Sequence, residues 1–103
     1  MVKPDRDVRL PMQTIRVLEA FLDPAGELAG AVVRKRTGLS SGTLYPTLLR
    51  LERAGWIVSR WESRAPPGAG RLCRRLYRLT PLGSWGLART RAVLATFGQG
   101  VLT

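Results

Sequence analysis

The side chains with the most evident chemistry in this sequence are its basic ones. Seventeen Lys and Arg stand against seven Asp and Glu, which gives a formal charge of +10, and fifteen of the seventeen are arginine. A planar guanidinium can hold a phosphate or a guanine edge with two hydrogen bonds at once. So large an excess of one charge in a short chain predicts a polyanionic partner. Nucleic acid is the first expectation and an anionic membrane the second, although codon bias in a GC-rich genome would also enrich arginine.

Other chemistries lack the residues that they need. The sequence has no histidine and one cysteine, Cys73, so a single chain cannot assemble a disulfide framework or a zinc site of the usual ligand count. It also has no paired-carboxylate spacing, phosphate loop or activated nucleophile. We therefore expect a protein that is not an enzyme and that uses no metal or cofactor. A redox role for Cys73 is a weaker alternative.

The charge pattern also bears on where the protein works. Residues 1–10 are charged and contain Pro4, and no apolar run reaches the roughly 18 residues of a membrane span. We expect a cytoplasmic, nucleoid-associated protein with no membrane partner. Residues 1–10 are expected to form a flexible arm, which is either inert or touches DNA.

A helix-turn-helix unit is the first element able to position the arginines. Apolar residues at three- and four-residue spacing predict an initial helix from Pro11 to Leu22, followed by a turn. After a short extended piece at residues 27–29, the pattern predicts a helix over residues 30–37 and another from Ser40 or Ser41 to about residue 53. The last two helices form the helix-turn-helix unit.

Two features of this unit allow more than one interpretation. The basic triplet that ends its first helix could contact DNA or complement the helix dipole; it consists of Arg34, Lys35 and Arg36. The second helix contains Pro46, which is expected to bend it.

An apolar stripe on the second helix is predicted to pack into the core, and it consists of Leu44, Leu48 and Leu51.

A β-hairpin is predicted after the second of these helices. Residues 56–62 alternate apolar and polar side chains, and residues 71–80 return as a second strand. The connection at residues 65–70 is rich in proline and glycine, as expected for the tip of a wing. Eight arginines but only one acid, Glu62, lie between Arg60 and Arg91, so a phosphate backbone is expected here, with Arg64, Arg71 and Arg74 as candidate contacts.

The chain is predicted to close with a helix that runs from Thr80-Pro81 to about Phe97. Four apolar residues lie seven, three and four positions apart and predict a short coiled-coil-like seam: Leu87, Leu94, Phe97 and Val101. A second copy of the chain is the expected partner of this seam, and packing onto the parent domain is the alternative.

The sequence of residues 37–55 resembles the recognition-helix signature of PadR-type regulators. It reads Thr-Gly-Leu-Ser-Ser-Gly-Thr-Leu-Tyr-Pro-Thr-Leu-Leu-Arg-Leu-Glu-Arg-Ala-Gly. The resemblance continues through Gly70-Arg71, the run Arg-Arg-Leu-Tyr-Arg-Leu-Thr at residues 74–80, and Pro-Leu-Gly at residues 81–83. It covers residues 11 to 97 approximately.

The resemblance implies a homodimer that binds a two-fold related operator in double-stranded DNA, usually as a repressor. The alternatives are a non-specific architectural or RNA-binding protein and a protein-interaction adaptor, of phage or bacterial origin. It implies a mainly α fold with a small β-hairpin (α+β), in which residues 11–80 form a winged helix-turn-helix and residues 81–103 a dimerisation helix and tail. The DNA-facing candidates carried over are Ser41, Gly42, Thr43, Tyr45, Arg50 and Arg71. Of these, Ser41 and Thr43 would bind phosphate, Gly42 would let the backbone approach, and Arg50 or Tyr45 would reach base edges. For Thr43 and Tyr45 the alternative is that they are half-buried packing residues.

The sequence departs from the family pattern in three places. Leu28-Ala29-Gly30 replaces the histidine-glycine-tyrosine motif that often opens the second helix, so only its glycine is retained. Leu72 and Cys73 replace the more usual prolines after Gly-Arg. We expect a member of the short subgroup with no second C-terminal domain, so an aromatic effector remains an unproven alternative. Trp85 could line such an effector site, but a place in the core is expected for it.

Overall fold

The computed structural model describes residues 12–64, 67–68 and 70–102, and the side chains of the last helix as far as Thr96. The predicted arm at residues 1–10 and the predicted start of the first helix at Pro11 lie outside these residues. Four helices and three strands occur in the described part of the chain, in the order α1 (Met12–Ala20), β1 (Glu27–Ala29), α2 (Gly30–Thr37), α3 (Ser41–Arg53), β2 (Ile57–Trp61), β3 (Arg75–Leu79) and α4 (Pro81–Leu102).

The helix-turn-helix unit forms where its capping residues predict it. The helix α2 ends at Gly38, whose φ of 74° is the left-handed conformation that glycine adopts without strain, and its N–H donates to the carbonyl of Arg34. Ser40 precedes α3 in an extended conformation, as an N-cap residue does. The helix then runs through Pro46 without interruption. Both predicted helices of the unit are therefore present.

A three-stranded antiparallel sheet lies beside this unit, in the order β1–β3–β2. The hairpin of β2 and β3 is the predicted wing, although β3 begins at Arg75 and not at residue 71. The short piece predicted as extended is β1, which pairs with β3 so that Leu28 lies opposite Tyr77. The sequence did not reveal this pairing, because the two segments lie about fifty residues apart.

The first half of α4 packs tightly against the end of the helix-turn-helix unit. The hydroxyl of Thr80 accepts a hydrogen bond of 3.0 Å from the amide of Gly83 and so caps the helix. A Cβ at Gly86 would lie 2.4 Å from the ring of Trp56, so only glycine allows this approach. The contact brings the next residue, Leu87, into the core at 2% exposure.

One hydrophobic core joins all of these elements. The leucine stripe of α3 is buried, as predicted, and it packs with residues from α1, α2, the sheet and α4. The predicted mainly α fold with a small sheet is confirmed. None of the helices among the described residues combines the length and the hydropathy needed to cross a bilayer.

Candidate nucleic-acid interface

The start of α3 is an exposed helix terminus. Ser41 and Gly42 are exposed, and Thr43 is half-buried. The carbonyl of Ser40 accepts hydrogen bonds from the amides of Thr43 (3.1 Å) and Leu44 (2.8 Å), while no described residue accepts one from the amides of Ser41 and Gly42. Free amides at the positive end of a helix dipole can hold a phosphate oxygen.

The outer face of α3 carries most of the residues expected to meet DNA. Its inner face is formed by the buried leucines and by Thr47, whose hydroxyl donates to the carbonyl of Thr43 at 2.8 Å. The outer face consists of Ser41, Gly42, Tyr45, Pro46, Leu49, Arg50 and Arg53. Sequence reasoning missed Arg53, although a position three residues after Arg50 falls on the same side of a helix.

The ring of Tyr45 is held against the start of α2. A Cβ on Gly30 would lie 2.8 Å from Cε1 of Tyr45 and 2.9 Å from its hydroxyl, so a larger residue there would displace the ring. The side chain is nonetheless 42% exposed. The structure thus gives a packing reason for the one glycine kept from the family's motif at the start of this helix.

The basic residues near the site differ in whether a carboxylate lies close to them. Each of the five acidic residues in the described part of the chain lies within 4 Å of an arginine. Four basic residues of the helix-turn-helix unit are exposed and have no carboxylate within that distance among the described residues, and we call them the open basic set: Arg34, Lys35, Arg50 and Arg53. The third residue of the basic triplet differs, because Arg36 pairs with Asp23. The backbone amide of Ala25 and, to a smaller extent, the Arg36 guanidinium hold the pKa of that carboxyl below its usual value.

The loop of the wing is closed by Glu62. Its carboxylate accepts hydrogen bonds from the guanidinium of Arg71 (2.7 Å) and from the backbone amide of Arg74 (2.8 Å), and the guanidinium of Arg74 lies 3.8 Å away. These donors lower the pKa of Glu62 to about 2. Arg71, expected from the sequence to contact DNA, therefore ties the two sides of the wing together. Arg64, nearer the tip, is exposed.

Two further arginines form contacts with side chains of the sheet and of α3. The guanidinium of Arg60 donates to both carboxylate oxygens of Glu27 at 2.7 and 2.8 Å, which lowers the pKa of Glu27 and links β2 to β1. Arg75 donates to the hydroxyl of Ser59 at 2.8 Å, lies 3.7 Å from a carboxylate oxygen of Glu52 on α3, and stacks on Trp61 at 5.3 Å. With Arg71 and Arg74, these residues form the closed basic set.

The structure changes the account of the last helix. Leu87 belongs to the core, so its side chain is not available to an exposed seam, whereas Leu94 is 44% exposed. The side chains of Phe97 and Val101 lie outside the described part. Trp85, expected in the core, is 60% exposed and stacks with Arg89 at 5.5 Å. That expectation was wrong because Gly83 and Gly86, not Trp85, form the face that meets the domain.

Comparison with known proteins identifies the family. The model of the transcriptional regulator PadR-like family matches residues 27–89, which is more than half of the chain. The chain belongs to the PadR-like family. This confirms the resemblance seen in the recognition-helix signature and agrees with the winged-helix fold.

Individual relatives agree with this assignment. This PadR-like chain is 45% identical over 64 residues to a transcriptional regulator of Mycobacterium tuberculosis; the match covers 62% of this chain and 55% of that one, so it spans little more than half the length of the relative. A PadR family regulator from Eggerthella lenta has a TM-score of 0.68 and 26% identity, over 82% of this chain and 76% of that one. A PadR family regulator from Clostridium difficile gives the same TM-score at 22% identity, covering 82% and 91%.

Proposed function

We propose that this protein binds double-stranded DNA sequence-specifically as a homodimer and represses transcription from a two-fold related operator. The observation that carries the proposal is the open basic set around the exposed start of α3. In a helix-turn-helix protein this helix enters the major groove, where guanidinium groups can read base edges.

The two exposed arginines of α3 would read sequence. Arg50 and Arg53 lie on the outer face, on the side opposite the buried leucines. An arginine that meets O6 and N7 of a guanine forms two parallel hydrogen bonds, the commonest specific contact in the major groove. Ser41, Thr43 and the free amides of the first turn would instead hold a phosphate and so fix the register of the helix.

The remaining exposed basic residues would bind the backbone. Arg34 and Lys35 lie at the end of α2, and Arg64 lies on the wing. Phosphate contacts of this kind add affinity without sequence preference, and they weaken as salt concentration rises. Arg71 would act through the wing that it holds in place.

The second half of α4 would supply the dimer contact. By helical spacing, Leu94 continues the face that packs into the core at Leu87, yet its side chain is exposed because no other described element covers it. Phe97 and Val101 follow at positions three and seven residues further on. A second copy of the chain would cover this continuation, and it would also place two copies of α3 on a two-fold related site.

Aspartate substitution tests the dimer contact. Replacing both Leu94 and Phe97 with aspartate should give monomers in light scattering, because like charges would be brought into a desolvated contact. By helical spacing, Ala88 and Ala95 lie on the other side of α4, and both are exposed. The matched control with aspartate at these two positions should remain dimeric, and a monomeric control would move the interface to that side.

Selection of bound duplexes from a random DNA pool at about 150 mM salt tests the function itself. The proposal expects an inverted repeat that is bound by one dimer. Enrichment of no sequence, together with binding that falls steeply with salt, would contradict it and favour an architectural or RNA-binding role.

A promoter carrying the selected repeat should then be less active in a reporter assay when the protein is present, and higher activity would contradict repression.

A further inference from the structure

Leu49 is an apolar residue in the middle of the outer face of α3. Its side chain is 48% exposed. The inner face of this helix consists of the buried leucine stripe and Thr47. At about 100° per residue, Leu49 and Arg53 lie more directly opposite that inner face than Arg50 and Tyr45 do. A helix that enters the major groove with its outer face first therefore brings Leu49 close to the base edges.

The packing of the domain does not require a leucine at this position. The apolar residues that form the core or pack against it in the described part of the chain do not include Leu49. Helix formation does not require it either, since alanine favours a helix at least as strongly as leucine. The ring of Tyr45, one turn earlier, is held at the start of α2, beside Gly30. The side chain of Leu49 is thus left for a partner outside the chain.

The neighbours of Leu49 indicate what kind of partner this is. Arg50 adjoins Leu49 in the sequence, Arg53 follows one turn later, and both belong to the open basic set. Pro46, three residues before Leu49, is also exposed. Because residues three apart are neighbours on a helix surface, Pro46 and Leu49 form a small apolar patch that is bordered by two cationic side chains. Such a surface suits a polyanion that displays a small apolar group among its polar ones.

The major groove of DNA contains one such group. Guanine, adenine and cytosine display hydrogen-bond donors and acceptors there, whereas thymine adds a 5-methyl group. An apolar side chain placed against N7 or O6 of guanine would remove that acceptor from water without a hydrogen bond, which costs free energy. The same side chain placed against a thymine methyl group buries apolar surface, which is favourable.

We propose that Leu49 is a specificity-determining residue that reads the 5-methyl group of one thymine in each half-site of the operator. The inference rests on the proposed function and deepens it, because Arg50 and Arg53 would select bases by hydrogen bonding and Leu49 by apolar burial. The recognised feature is then the methyl group itself. In the selected duplex, 5-methylcytosine at this position should therefore be bound more tightly than unmodified cytosine.

Removal of single methyl groups from the selected duplex tests this contact. Deoxyuridine in place of thymine keeps the base pair and the O4 acceptor and removes only the methyl group. The wild-type protein should bind about 4-fold more weakly for each half-site in which the contacted thymine is replaced, which is the factor expected from one buried methyl group. Fluorescence anisotropy at constant salt measures each duplex.

A substitution at Leu49 shows whether this residue makes the contact. The Leu49→Ala variant should bind the thymine duplex at least 4-fold more weakly per half-site and lose no further affinity when that thymine becomes deoxyuridine. Leu22→Ala is the matched control, since Leu22 is 49% exposed and lies outside the helix-turn-helix unit. This control should keep the full sensitivity of the wild type to deoxyuridine. Circular dichroism checks that both variants fold.

A second variant changes the base that is selected. Leu49→Arg places a guanidinium at the same position, and guanidinium groups prefer O6 and N7 of guanine. Selection from the random pool should then enrich guanine where the wild type enriches thymine. Leu49→Met, which keeps an apolar side chain of similar size, should still select thymine. Continued enrichment of thymine by Leu49→Arg would contradict the inference.

The outcomes separate this inference from the proposed function. Wild-type protein that binds the selected duplex and tolerates deoxyuridine at every thymine would overturn the role of Leu49 and leave the proposed function standing. The same conclusion follows if Leu49→Ala remains as sensitive to deoxyuridine as the wild type. Wild-type protein that selects no duplex would overturn the proposed function and the role of Leu49 together.

Discussion

The helix-turn-helix unit and the wing are both rich in arginine, but the two regions use it differently. Around the sheet, the closed basic set is held by carboxylates: Arg60 by Glu27, Arg71 and Arg74 by Glu62, and Arg75 by Glu52. In the helix-turn-helix unit, the open basic set is exposed and meets no carboxylate among the described residues. The few acids, rather than the many arginines, decide which positive charges remain for a partner.

The difference has a structural cause. A wing made of two short strands and a proline- and glycine-rich tip buries little apolar surface of its own, so polar contacts where its loop begins contribute much of its order. Glu62 follows β2, accepts from Arg71 and Arg74 on the returning side of the hairpin, and has only 12% of its side chain exposed. The helices α2 and α3 are instead held by the core, and their outer side chains need no partner within the chain.

The largest loss of DNA affinity is expected from a substitution in the open basic set. Arg50→Ala should weaken binding to the selected site by about 1–3 kcal/mol and flatten discrimination between bases, because it removes a bidentate base contact. Fluorescence anisotropy with the selected duplex and single-base variants measures both quantities. The control Arg60→Ala removes one charge from the closed basic set and should keep the base preferences. If the control changes base preference as much as Arg50→Ala does, the division of the arginines is wrong.

The contrast between the two sets could be predicted only in part from the sequence. The recognition-helix signature and the capping residues Gly38 and Ser40 are local signals, and they located α2 and α3 correctly. The pairing of Arg71 with Glu62 depends on how the hairpin closes, and the stacking of Tyr45 on Gly30 depends on how two helices cross. Neither contact has a local signal, so the sequence suggested DNA contacts for both Arg71 and Tyr45 without revealing their intramolecular partners.

The contacts of the last helix were also predicted only in part from the sequence. A seven-residue spacing joins Leu87 to Leu94, and this spacing cannot distinguish a dimer seam from a face that starts in the core. The glycines at positions 83 and 86 carried the missing signal, since two small residues one turn apart mark the side on which a helix approaches its neighbour closely. Trp85 lies between them and therefore projects away from the domain.

A smaller loss of DNA affinity is expected from a substitution in the closed basic set. Arg71→Ala should lower affinity for all duplexes by a similar factor, roughly 10-fold, because it loosens the wing and leaves Glu62 with one guanidinium fewer. Adding Glu62→Gln should recover part of this loss, since the unpaired negative charge is then removed. Anisotropy at several salt concentrations measures both variants. A loss confined to particular base pairs would show instead that Arg71 reads sequence.

The pH dependence of the wing sharpens the comparison further. The pKa of Glu62 is lowered from 4.5 to about 2, so its contribution to stability is complete above pH 4.5 and is lost as the pH falls towards 2. Trp61 ends β2 next to Glu62, so its fluorescence should report loosening of the wing in that range. Glu62→Gln should abolish this transition, and a transition unchanged in the variant would assign it to another carboxyl.

The smallest effect is expected from an ion pair outside both sets. Arg91 on α4 and Glu19 on α1 lie 3.2 Å apart, and both side chains are substantially exposed. Because exposed pairs contribute little, Arg91→Ala should change the free energy of unfolding by less than about 1 kcal/mol, as measured by urea denaturation. A larger loss would mean that α4 depends on this pair as well as on the packing of its glycines against Trp56.

Hydrogen–deuterium exchange of the protein with and without the selected duplex tests the central claim most directly. We predict protection of the amides at the start of α3, together with the end of α2, because these segments carry or adjoin the open basic set. Slower exchange confined to α1 and α4, with the start of α3 unchanged, would contradict the claim that this helix and its unpaired arginines meet the DNA.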